Sequence, residues 1–101
     1  MKLIRDKIPK IAAAKGEHME CHTANPAEFR YHLSRKLEEE VKEFLDSNEP
    51  EELADILEVI GAIAKERGFM MRDIYRLRDK KRKERGGFDE RIIWEQSRRE
   101  N

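Results

Sequence analysis

Residues 25–68 read NPAEFRYHLSRKLEEEVKEFLDSNEPEELADILEVIGAIAKERG, and this stretch decides the fold. Asn25 can cap a helix, Pro26 suits its first turn, and Glu28 occupies the reciprocal capping position. Phe29, Leu33, Leu37, Val41 and Phe44 then recur at steps of four, four, four and three, which predicts a helix to about Asp46. Ser47-Asn48-Glu49-Pro50 forms a tight connection, so the next helix returns antiparallel. That helix covers about Glu51 to Arg67, with Leu53, Ile56, Leu57, Ile60 and Ile63 on one stripe and Gly68 after its end.

Outward from this hairpin the signals weaken. Ile4, Ile8 and Ile11 have helical spacing, Pro9 suits a first turn, and Gly16 closes a short helix extended by Ala12, Ala13 and Ala14. Residues 17–24 read as a connection. A further helix, about Met71 to Glu84, carries Ile74, Tyr75 and Leu77 and stops at Gly86-Gly87. Phe88 to Trp94 is expected to be extended, since Ile92, Ile93 and Trp94 favour a strand. The final seven residues read as polar and frayed. The expected class is all-α: one small antiparallel helical bundle over residues 1–101, its core completed by oligomerisation.

Composition sets the same limits. Of 101 residues only 38% are hydrophobic and 44% are charged, so a private core is thin and a dimer or tetramer is the expected way to complete it. The formal net charge is zero, which argues against a broad basic surface for nucleic acid. No run of about 18 apolar residues exists, so no membrane span is expected. Charge interrupts Met1 to Lys7 too early for a signal peptide, and Cys21 stands alone, so a reduced, cytoplasmic setting is expected. The neutral total hides a division. Lys36 to Glu58 holds ten acidic and two basic residues, whereas Arg72 to Arg85 holds eight basic and three acidic ones. An acidic segment for metal beside a basic one for phosphate suits a metal–polyphosphate ligand, although solvated helix faces would show the same counts.

The acids are placed where ordinary surface charge is not. With about 100° per residue, Phe29 and Leu33 lie about 20° on either side of Glu40, and Glu43 lies about 60° away at the border of the apolar arc. On the next helix Val59 and Ile63 lie about 20° on either side of Glu52, with Asp55 about 60° away. Each helix thus carries one acid inside the stripe and another three positions later. Packed antiparallel, the pairs can offer four or more oxygens to one or two hard cations, an arrangement that helical bundles provide. Glu39 can add an oxygen at the edge. The competing interpretation is that Glu40 and Glu52 reach outward or pair with Lys36, Lys42 or an arginine of another chain.

At these residues the chain resembles the all-α nucleoside triphosphate pyrophosphohydrolase superfamily, which includes MazG, dimeric dUTPases and phosphoribosyl-ATP pyrophosphohydrolase. The shared signature is EExxE followed by ExxD, matched by Glu39, Glu40 and Glu43, then Glu52 and Asp55. Lys2-Leu3-Ile4-Arg5-Asp6-Lys7-Ile8-Pro9 and Arg85-Gly86-Gly87-Phe88 are similar to a small MazG-like subgroup, and the resemblance spans nearly the whole chain. Only eight residues separate Glu43 from Glu52, fewer than in typical MazG proteins, which implies a short connection. The resemblance implies Mg²⁺, with Mn²⁺ as a substitute, held by Glu40, Glu43, Glu52 and Asp55. It also implies hydrolysis between the α- and β-phosphates of a nucleotide. A carboxylate not fully engaged by metal, Glu39 or Glu43, would take the proton of the attacking water; Glu39 is preferred because it lies furthest from the apolar arc.

The leaving pyrophosphate needs donors. Lys81, Lys83 and Arg85, beside Gly86-Gly87, form one candidate set, and Arg5 with Lys7 a second. A solvated helix end explains Lys80 to Lys83 equally well. Trp94, Phe88 and Tyr75 read first as packing residues, and His18, His22, His32 and Cys21 lack the spacing of a zinc site. Two other functions stay open: an idle helical dimerisation module, and a hydrolase of phosphoribosyl-ATP or another nucleotide-linked phosphoanhydride.

Overall fold

The computed structural model describes residues 1–99. They form four helices and no strand: α1 (Ile8–Ala14), α2 (Pro26–Ser47), α3 (Pro50–Glu66) and α4 (Met71–Arg85). The chain separates into two compact units, one spanning Met1–Met70 and the other beginning at Met71. No helix among the described residues is long and apolar enough to cross a membrane.

Local chemistry sets the ends of the hairpin. At the start of α2 the Asn25 side chain accepts from the Glu28 N–H at 2.9 Å, and Glu28 Oε1 accepts from the Asn25 N–H at 3.2 Å. Two orphan amides of the first turn are satisfied together. The far end stops at Asn48, which turns left-handed at φ 57° and donates its N–H to the Phe44 carbonyl. Asparagine tolerates that conformation better than most residues. Pro50 then opens α3 with only Asn48 and Glu49 between it and the last residue of α2. So short a link folds α3 back along α2, and the two pack against each other.

The first unit is built on that pair. Leu33 of α2, Val59 and Ala64 of α3 and Ala12 of α1 are buried, and Glu40 joins them at 6% exposure. Burial on the hairpin follows the arc centred on Glu40 and Glu52, apart from Ala64 about 120° from Glu52 near the end of α3, and covers less than the apolar stripe. Val41 and Leu45 lie about 100° and 140° from Glu40, and Leu53 and Leu57 lie at the same angles from Glu52. All four are exposed, Leu57 at 61% and Leu45 at 68%. Antiparallel packing reverses the sense of rotation, so the four fall on one flank of the hairpin. The stripe is wider than a single neighbouring helix can cover.

In the second unit, α4 buries no residue. Gly86, at φ 83°, follows its end and donates to the Arg82 carbonyl at 2.8 Å. The extended segment expected over Phe88 to Trp94 is not formed. Arg91 adopts φ 57° and closes a turn onto the Phe88 carbonyl, and Phe88, Ile92, Ile93 and Trp94 are at least 80% exposed. A strand needs a neighbour for its backbone groups, and among the described residues none is offered.

Candidate metal centre

Glu40 comes from the middle of α2 and Glu52 and Asp55 from the first turns of α3, which the short link brings level with it. Each of the three offers a carboxylate oxygen within 4.8 Å of the others. Around one hard cation, ligand oxygens at about 2.1–2.4 Å stand at most about 4.2–4.8 Å apart, so a single ion fits this group. Two side-chain oxygens of the group, Glu40 Oε2 and Glu52 Oε2, are buried without a hydrogen-bond partner. A buried carboxylate oxygen without a donor is costly, and a divalent cation would relieve it.

The electrostatics agree. The Glu52 carboxyl is pushed up to about 7, first by desolvation and then by the Glu43 charge, with hydrogen bonding to Glu43 and Glu40 adding to it. One proton would therefore sit among these acids near neutral pH unless a cation replaced it. Glu43 is exposed and stands outside the three-residue group, yet its effect on Glu52 marks it as a close neighbour.

Protein cations already lean on the cluster. Arg5 Nη2 donates to Asp55 Oδ1 at 2.6 Å. Lys36 Nζ lies 3.3 Å from Glu40 Oε1 and 3.4 Å from Glu39 Oε2, pairs set by four- and three-residue spacing on α2. Lys2 Nζ donates to Glu39 Oε1 at 3.2 Å. Glu39 thus belongs to a second hollow with Lys2 and Lys36, apart from the three-residue group. Partial desolvation raises its carboxyl, but the Lys2 hydrogen bond and the Lys36 and Lys2 charges outweigh this and hold it below the usual carboxylate range. Its carboxylate is thus held ionised by the two lysines.

Glu40 and Asp55 open onto a cleft of about 930 Å³ lined by the N-terminal segment, α1, α2 and α3. Arg5, Lys7, Lys36, Glu40 and Asp55 line its polar part, while Ile4, Ile8, Phe29 and Val59 are among its apolar walls. Of the phosphate donors expected from sequence, Arg5 and Lys7 are therefore at the cleft. Lys81, Lys83 and Arg85 belong to the second unit, where all three are exposed at the end of α4. His22 is engaged elsewhere, 2.7 Å from Glu28 Oε2; that bond, followed by the one from Asn25, lowers the Glu28 carboxyl.

Sequence reasoning passed over Glu58 and Glu66, which also line the cleft. Glu66 Oε2 is buried without a hydrogen bond, with the Arg30 and Arg67 Nε atoms each 3.6 Å away. Their spacing from Asp55, three and eleven residues on one helix, was the available signal, since both place them near its face. Comparisons with family models, curated proteins and solved structures return no match to this chain.

Proposed function

We propose that this chain is a MazG-like, Mg²⁺-dependent nucleoside triphosphate pyrophosphohydrolase that cleaves the α–β phosphoanhydride to a nucleoside monophosphate and pyrophosphate. The observation that carries the reading is the group Glu40, Glu52 and Asp55, in which the Oε2 atoms of Glu40 and Glu52 are buried and unpartnered and Glu40 and Asp55 line a large cleft. The EExxE and ExxD spacing of the same residues supports it. Mg²⁺, when bound, would neutralise the triphosphate and lower the pKa of a water for in-line attack at phosphorus. Glu40, Glu52 and Asp55 would hold the ion. Glu43, beside Glu52 but outside the group, would take the proton of the attacking water. Arg5 and Lys7 bind the leaving pyrophosphate from the cleft wall. The exposed flank of Val41, Leu45, Leu53 and Leu57 is covered by a second copy of the chain, which completes the thin core.

The direct test is a panel of nucleoside triphosphates with Mg²⁺, scored for monophosphate and pyrophosphate together. Orthophosphate as the sole inorganic product, or no product with any member, would refute the assignment. One specific observation favours a second reading, an idle helical module. The acids already have protein partners: Arg5 on Asp55, Lys36 on Glu40 and Lys2 on Glu39. In that reading Mg²⁺ leaves the melting curve unchanged.

A further inference from the structure

The cations around the acidic group are not equivalent. Lys36 is 17% exposed and bridges two glutamates of its own helix, so its place is set by α2 itself. Arg5 comes from a segment fifty residues away and makes one hydrogen bond, through Nη2, to Asp55 Oδ1. Its side chain is 56% exposed and that of Asp55 is 36% exposed. Such a pair parts readily, because water solvates both groups once they separate. Arg5 and Asp55 both line the cleft, so the guanidinium can leave the carboxylate without leaving the cavity.

We propose that Arg5 is an exchangeable counter-cation: it holds Asp55 in the metal-free protein, leaves when a divalent cation binds, and then takes an anionic oxygen in the same cleft. The inference rests on the metal reading of Glu40, Glu52 and Asp55. Its physical basis is competition for one carboxylate. Asp55 cannot satisfy a guanidinium at 2.6 Å and a divalent cation equally, and the two cations repel each other. The guanidinium released from Asp55 presents a planar fork suited to phosphate oxygens. Cation and anion binding are therefore coupled through Arg5, and the coupling is reciprocal.

This differs from a merely structural role, in which Arg5 ties the N-terminal segment to α3. A tether, when cut, loosens the cleft, and metal affinity stays level or falls. An exchanging counter-cation, when removed, leaves Asp55 free, and metal affinity rises.

The test is Mn²⁺ binding, followed by the paramagnetic resonance signal of the free ion, with and without inorganic phosphate. Wild-type protein is compared with Arg5→Ala and with the near-isosteric Arg5→Gln, which keeps much of the packing. Both variants are expected to bind Mn²⁺ about two- to fivefold more tightly than wild type without phosphate. Phosphate is expected to tighten Mn²⁺ binding about fivefold or more in wild type, and to have little effect in either variant. Wild-type binding together with equal or weaker binding by both variants, or with undiminished phosphate coupling in them, would overturn the exchange and leave the metal reading standing. Absence of Mn²⁺ binding by wild type would overturn the metal reading and the exchange with it.

Discussion

The two flanks of the α2–α3 hairpin carry opposite chemistry on the same backbone. One holds Glu40, Glu43, Glu52 and Asp55; the other holds Val41, Leu45, Leu53 and Leu57. The sequence steps from one to the other in a single residue, Glu40 to Val41 and Glu52 to Leu53. Yet Glu40, Glu52 and Asp55 are more buried than the four apolar residues, and only Glu43 among the acids is exposed. Glu40 is 6% exposed against 39% for Val41, and Leu53 is 47% exposed while Glu52 is half-buried. A hairpin selected only for stability would place valine and leucine inward and the glutamates in water. Departures of this kind from local consistency are the mark of a functional position.

The sharpest way to break the comparison is at the acidic flank. Glu40→Ala and Asp55→Ala are each expected to abolish pyrophosphate release from a nucleoside triphosphate, because each removes an oxygen from the ion. Near-normal turnover in both would disqualify the group as a metal site. The opposite flank should answer in assembly rather than in chemistry. Leu57→Lys places a charge where a second copy is proposed to pack, against an apolar contribution of about 1.5–3 kcal/mol for a buried leucine. Sedimentation should then show wild type as an oligomer and the variant shifted to monomer. A wild type that sediments as a monomer would separate the two flanks in function.

Protonation offers a gentler probe. The folded-state pKa of Glu52, about 7, lies above its ordinary value of 4.5, so the folded protein holds a proton that the unfolded chain has already lost in that interval. The stabilising contribution is full below about 4.5 and is lost as pH rises through about 7. Metal-free protein should accordingly melt at a higher temperature at pH 5.5 than at pH 8, as read by circular dichroism, and Glu52→Gln should flatten that difference. The smallest effect belongs to the end of α2. Asn25→Ala removes the capping box and should cost about 1 kcal/mol in denaturant unfolding, without changing metal binding.

Much of the hairpin was legible in the sequence because its signals are local. The Asn25–Glu28 cap, the Asn48 stop and Pro50 each act over three or four residues, and the observed helix limits fall within a residue or two of those expected. The inward position of Glu40 and Glu52 followed from the helical angle alone. What failed depends on distant partners. Leu53 and Leu57 read as core, but burial depends on which neighbour covers a stripe, and both stand exposed. Ile92, Ile93 and Trp94 have strand propensity, but propensity without a pairing strand leaves them exposed. Arg5–Asp55 and Lys2–Glu39 join segments fifty and thirty-seven residues apart, which no periodicity reveals.

The central claim is that Glu40, Glu52 and Asp55 share one cation. A melting curve recorded with increasing Mg²⁺ at pH 8, in wild type and in Glu52→Gln, tests it most directly. The expected melting temperature rises and saturates with Mg²⁺ in wild type and does not respond in the variant. An unchanged wild-type curve at millimolar Mg²⁺, or an equal rise in both proteins, would contradict it.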